Sequence, residues 1–152
     1  MVWLSLIHIY FVDINSQLLG LTCGTWGYIF TGLAIVGTIV GWVCWRDKKG
    51  AYFMLAALLL TTLYILGPKM HERYLMPVFL LLTLAYIQIR DRRLLYIIGG
   101  FAATNFINTA LTMIWIHVPN YNIFYMLLCA VQIGLWAYLL YTACLLYTSR
   151  CV

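Results

Sequence analysis

Ala57-Leu58-Leu59-Leu60-Thr61-Thr62-Leu63-Tyr64-Ile65-Leu66-Gly67 runs directly into Pro68-Lys69-Met70-His71-Glu72-Arg73-Tyr74, and this into Leu75-Met76-Pro77-Val78-Phe79-Leu80-Leu81-Leu82. Two apolar runs are thus separated by one connector that carries Lys69, His71, Glu72 and Arg73. Neither run alternates polar with apolar residues, so neither reads as a barrel strand. Each reads as a helix that satisfies its own backbone hydrogen bonds in lipid. A connector this short returns the chain alongside itself, which makes the pair an antiparallel helical hairpin. Ionisable groups at the edge of a hydrocarbon layer are costly to keep there, and they mark sites for charged ligands more often than packing solutions.

The rest of the chain has the same character. Of its residues 65% are hydrophobic and only 9% charged, with a mean hydropathy of +0.95. A soluble domain carries about 25% charged residues, so lipid rather than water is the main solvent here. A helix needs about 20 mainly apolar residues, within a range of about 17–25, to cross a bilayer core. The punctuation of the chain predicts five spans, at 26–45, 51–67, 74–89, 94–116 and 123–143. The expected fold is an all-α polytopic transmembrane helix bundle. Pro77 falls near the start of the third span, where a missing N–H costs a helix least.

Basic residues orient the bundle. The connectors at 46–50 and 90–93 hold Arg46, Lys48 and Lys49, and Arg90, Arg92 and Arg93, and the hairpins put both on one face. The other face has Lys69 and Arg73, and no Lys or Arg precedes Arg46. Six against two favours a cytoplasmic position for the first pair of loops. The Lys69–Tyr74 connector is then expected on the extracytoplasmic side. The net charge of +5 does not indicate nucleic acid, because the basic residues are pinned to helix ends and form no soluble basic face. The aromatic residues Trp26, Tyr28, Trp42, Trp45, Tyr74, Trp115, Tyr121 and Tyr125 fall near span ends and read as an interfacial belt.

Both termini carry a mark of a different kind. Leu4-Ser5-Leu6-Ile7-His8-Ile9 is the translation of CTG TCT CTT ATA CAC ATC, and Cys144-Leu145-Leu146-Tyr147-Thr148-Ser149 is the same DNA in another frame. That DNA resembles a transposase adapter used in sequencing libraries. Residues 1–9 and 144–152 are therefore expected to be adapter-derived, with 10–25 an extracytoplasmic segment and 26–143 the transmembrane domain. The natural chain is expected to continue beyond both ends. His8, Cys144 and Cys151 take no role on this reading. Cys23, Cys44 and Cys129 remain, without CxxC or metal-ligand spacing, and no metal site or cofactor is expected.

Together the residues carry a family resemblance. Thr25-Trp26-Gly27, an apolar span, a basic turn, a second span and Lys69-Met70-His71-Glu72-Arg73-Tyr74-Leu75-Met76-Pro77 come in order, followed by a third span, Arg90-Asp91-Arg92-Arg93-Leu94-Leu95-Tyr96 and Gly100-Phe101 with Asn105 and Asn108. This order resembles the carboxy-terminal part of bacterial GT-C glycosyltransferases, which are related to the dolichyl-phosphate-mannose-dependent mannosyltransferases. The resemblance covers roughly residues 13 to 143. It implies transfer of a sugar from a polyprenyl-phosphate carrier to a glycan, lipid or protein acceptor on the outer side of the bacterial cytoplasmic membrane, with inversion at the anomeric carbon.

Such chemistry needs a carboxylate to take the acceptor proton and cations to hold the departing phosphate. Lys69 and Arg73 suit the phosphate, since an Arg fork grips phosphate oxygens bidentately. His71 adds a hydrogen bond to phosphate or sugar. Glu72 is either a base or the group that orients and neutralises His71 and Arg73. In the family the base is an Asp of the first outer loop, and no residue here matches it. Residues 1–152 are therefore expected to supply carrier contacts rather than to catalyse alone.

Uncharged polar groups within the spans read as packing. Asn105 and Asn108 share a helical face near Thr104 and Thr112 and suit interhelical hydrogen bonds. Gly32, Gly37 and Gly41 permit close helix approach, and Gln132 and Gly134 are read the same way. His117 reads as an interface histidine. Two alternatives belong to other classes: a transporter or flippase for lipid-linked sugars, which more often carries charges inside its spans, and a noncatalytic cell-envelope protein.

Overall fold

The chain was analysed as a computed structural model that describes residues 17–18, 20–67, 72–114 and 122–148. Five α-helices make up nearly all of this: α1 (Cys23–Trp45), α2 (Ala51–Leu66), α3 (Met76–Ile89), α4 (Arg92–Ile114) and α5 (Asn122–Thr148). A 3-10 turn, Glu72–Leu75, leads into α3. A two-residue antiparallel ribbon, β1 (Gln17–Leu18) with β2 (Leu21–Thr22), precedes α1. The all-α bundle expected from the sequence is what forms. Three helices, α1, α4 and α5, include stretches long and apolar enough to cross a membrane, while α2 and α3 are shorter apolar helices. The chain is a membrane protein.

Local chemistry explains where the helices differ from the expected spans. Thr22 caps α1 by accepting a hydrogen bond from the Thr25 N–H at 3.3 Å. The helix therefore starts three residues before the expected residue 26. Asp91 Oδ1 accepts from the Arg93 N–H at 2.8 Å, and α4 begins at Arg92 rather than 94. The third span opens as a 3-10 turn, so its α-helix starts at Met76 with Pro77 in the first turn. The last helix runs through Thr148, five residues past the expected end at 143.

The turns between helices also follow from residue type. Gly50 takes a left-handed backbone (φ +72°), and a Cβ there would lie 2.8 Å from Ile89 Cγ1. Arg90 is also left-handed (φ 57°) as it ends α3, its N–H donating to the Tyr86 carbonyl at 2.7 Å.

Packing closes α2, α3, α4 and α5 into a four-helix ring, each helix touching the next and α5 returning to α2. α1 lies outside the ring, against α2. Gly41 of α1 is buried at this contact, where an added Cβ would sit 2.8 Å from Leu55 Cδ2. Gly32 and Gly37 have no atom within 4 Å of such a Cβ, so only Gly41 serves the close approach expected of all three. Trp45, the last residue of α1, is half-buried and stacks on Tyr147 at 4.8 Å, and Tyr147 Oη donates to the Lys49 carbonyl at 3.4 Å.

The core of the ring is apolar along its length, from Ala51, Met54, Ala85, Leu94 and Ala143 to Ile65, Leu75 and Val78. Into it are set the buried polar residues Thr61, Thr62, Thr104, Asn105, Asn108 and Gln132, with Thr142 buried further along α5.

Candidate functional site

The helices around the turn differ in length. α2 has 16 residues and α3 has 14. At 1.5 Å per residue they span roughly 24 and 21 Å, short of a hydrocarbon core of about 30 Å. α4 and α5 have 23 and 27 residues, or roughly 35 and 40 Å. The two helices of this hairpin are therefore shorter than α4 and α5, and residues 68–71 between them lie outside the described residues.

The turn is anchored from below. Leu75 is fully buried in the ring core, and the turn packs against α2, α3 and α4. Tyr74 stays half exposed beside it. Of the residues proposed from sequence to contact the carrier, Glu72 and Arg73 occupy the first two positions of this turn. Lys69 and His71 lie outside the described residues, as does His117. The structure thus brings Glu72 and Arg73 onto one anchored turn and leaves the placement of the other two undescribed.

Beneath the turn lies a polar layer that joins Asn105, Asn108 and Gln132, expected from the sequence as packing residues, with Thr61, Thr62 and Tyr64, for which the sequence carried no expectation. Trp136 Nε1–H donates to Thr62 Oγ1 at 2.9 Å, tying α5 to α2. Tyr64 Oη donates to Gln132 Oε1 at 3.5 Å, a second and weaker tie between the same helices. Thr61 and Thr62 each donate to the carbonyl four residues earlier, Ala57 at 2.6 Å and Leu58 at 2.7 Å. Thr104 does the same toward Gly100 at 3.0 Å. The glue expected of Asn105 is not what forms. Among the described residues, Asn105 Oδ1 and Gln132 Nε2 are the buried side-chain atoms without a hydrogen-bond partner. Leaving such a group unsatisfied costs about 1–3 kcal/mol. The signal in the sequence was Thr61-Thr62, Tyr64 and Gln132 set in apolar runs, but nothing there showed that they meet.

The layer is neutral, so it donates and accepts hydrogen bonds without contributing charge. Among the described residues no three His, Cys, Asp or Glu side chains converge. The described ion pair, Arg46 Nε to Asp47 Oδ1 at 3.7 Å, is exposed in a basic loop and far from the turn. Among the described residues, the charges on the turn are its own, Glu72 and Arg73.

A second feature lies on the flank of the ring. A groove of about 370 Å³ runs between α1, α2 and α5, with Phe30, Leu33 and Gly37 on one rim and Leu55, Leu66 and Leu140 among its walls. It opens sideways along α1, whose rim residues are exposed.

No family model, curated protein or solved structure matches this chain.

Proposed function

We propose that this chain is the carrier-binding part of a membrane glycosyltransferase of the GT-C kind, which moves a sugar from a polyprenyl phosphate to an acceptor at the extracytoplasmic face. The observation that carries the reading is the seat of Glu72 and Arg73. They stand on a turn that leads into the shorter helix α3 and is anchored by the buried Leu75. A cationic connector meets a lipid phosphate at headgroup depth, where the low dielectric strengthens the pairing.

Arg73 and Lys69 hold the carrier phosphate, and His71 donates to phosphate or sugar. As the sugar leaves, negative charge grows on that phosphate, and fixed cations stabilise the transition state more than the ground state. Glu72 sets the orientation of its cationic neighbours. The general base comes from a segment of the protein outside these residues. The excess of basic residues at 46–50 and 90–93 supports the outward placement of the turn.

Substituting Arg73 or His71 by Ala in the full-length enzyme, assayed with polyprenyl-phosphate-linked sugar, is expected to lower transfer on the order of 10- to 1000-fold while membrane insertion is retained. Transfer at the wild-type rate in both variants would remove the turn from the site.

A further inference from the structure

We propose that the two basic loops, residues 46–50 and 90–93, form one docking surface for the anionic phospholipid headgroups of the leaflet they face. This surface lies at the start of α2, whereas the connector of the carrier-binding reading follows its end, so the two assignments stand or fall separately.

The loops meet where Gly50 packs on Ile89. A Cβ on Gly50 would lie 2.8 Å from Ile89 Cγ1 and 3.5 Å from the Ala85 carbonyl, so the first loop ends against the last turn of α3, one residue before Arg90. Arg46, Lys48, Lys49, Arg90, Arg92 and Arg93 are thereby gathered at one end of the bundle, and the carboxylates of the two loops are Asp47 and Asp91. All six cations except the half-buried Lys48 are exposed. The two carboxylates do not neutralise them. Arg46 and Asp47 stand 3.7 Å apart with side chains 68% and 90% exposed, a contact that contributes little in water. Asp91 Oδ1 is engaged by the Arg93 backbone N–H.

The positions of these cations exceed what topology requires. Orientation of the bundle needs positive charge on a face, at either end of a helix. Arg46 and Arg90 cap the C-terminal ends of α1 and α3, where the helix dipole favours a cation. Lys48 and Lys49 instead directly precede Gly50, the N-cap of α2, while Arg92 and Arg93 open α4, and neither helix has an acidic residue in its first turn. At a helix start the dipole opposes each cation by about 0.3–1 kcal/mol. Asp91 offsets part of this at α4. An anion held by these four side chains relieves the repulsion among them and the repulsion from the helix starts together.

The neighbouring surface selects a lipid as the source of that anion. Trp42, Val43, Ile87 and Tyr96, next to the loops, are all exposed. In a membrane protein such a surface faces acyl chains, so the anion that reaches the loops is a lipid phosphate. Each Lys or Arg near a membrane surface is attracted to anionic lipid by about 1 kcal/mol, and an Arg fork pairs with phosphate oxygens bidentately.

The test adds phosphatidylglycerol, phosphatidylcholine or inorganic phosphate to the full-length protein in neutral detergent, where membrane orientation plays no part. Native mass spectrometry reads binding, and thermal unfolding reads stability. Phosphatidylglycerol is expected to bind at least about tenfold more tightly than phosphatidylcholine and to raise the melting temperature. Lys48→Gln/Lys49→Gln and Arg92→Gln/Arg93→Gln are each expected to weaken phosphatidylglycerol about tenfold. Both pairs are also expected to raise the melting temperature without added lipid, because the repulsion from the helix start goes with the charge. Arg46→Gln/Arg90→Gln removes as much charge from helix ends that favour it, and is expected to lower that temperature. Equal binding of the two lipids, or wild-type binding of phosphatidylglycerol in both of the first two pairs, would overturn the surface. An equal loss of binding in all three pairs would overturn its assignment to the four cations at the helix starts. Stabilisation by inorganic phosphate equal to that by phosphatidylglycerol would overturn the lipid source in favour of a soluble anion.

Discussion

At Thr62 one oxygen serves two helices, donating to Leu58 in α2 and accepting from Trp136 in α5. Removing it strands the buried indole N–H. Thr62→Val is therefore expected to lower stability by about 1–2 kcal/mol in detergent unfolding, within the range for interhelical hydrogen bonds in membranes. Gln132→Leu removes an amide whose Nε2 has no partner and a Tyr64 contact of only 3.5 Å, and is expected to change stability by less than about 0.5 kcal/mol. A larger loss for Gln132→Leu than for Thr62→Val would reverse this ordering of the two ties. The glycines divide in the same way. Gly41→Val meets Leu55 at 2.8 Å and is expected to cost about 1–3 kcal/mol, whereas Gly37→Val, facing open space, is expected to be near neutral. The Gly37-Gly41 spacing was visible in the sequence, but not which of the pair faces α2. In lipid an apolar side chain is at home on either face, so hydrophobicity does not mark the buried side of a helix as it does in water.

Among the elements, the hairpin count was readable because apolar runs end at charged, Gly or Pro punctuation, and that punctuation acts locally. The capped starts of α1 and α4 lay within a few residues of the expected ends, as local caps allow. The 3-10 turn was not readable. Its geometry depends on Leu75 being drawn into a core formed by distant helices, and no local signal in Glu72-Arg73-Tyr74-Leu75 specifies that. The tight turns carry the clearest mechanical test. Gly50→Ala places a Cβ against Ile89 in a left-handed backbone and is expected to destabilise the bundle by about 1–3 kcal/mol. Arg90→Gly removes a left-handed non-glycine residue and is expected to stabilise α3–α4 by about 1 kcal/mol. Thermal unfolding of the two variants in one detergent checks both signs.

For the whole molecule, composition alone separated lipid from water as the solvent, and the helices agree. The candidate site was legible as a motif but not as a place. The sequence showed Lys69, His71, Glu72 and Arg73 together; the anchoring of the turn through Leu75, and the contrast between two short helices and two long ones, belong to the packed bundle. The polar layer joins residues up to 74 positions apart, and the groove on the flank brings Phe30 together with Leu140, relations that only packing creates. A connector that meets lipid-linked phosphate at the extracytoplasmic face must be reachable from that side of the membrane. Single cysteines at Met70, Asp47 and Asp91, in a background with the five native cysteines replaced, test it by labelling intact cells with a membrane-impermeant maleimide. Labelling at position 70 from outside, with positions 47 and 91 labelled only after permeabilisation, is the predicted result; protection at 70 with labelling at 47 and 91 would contradict it.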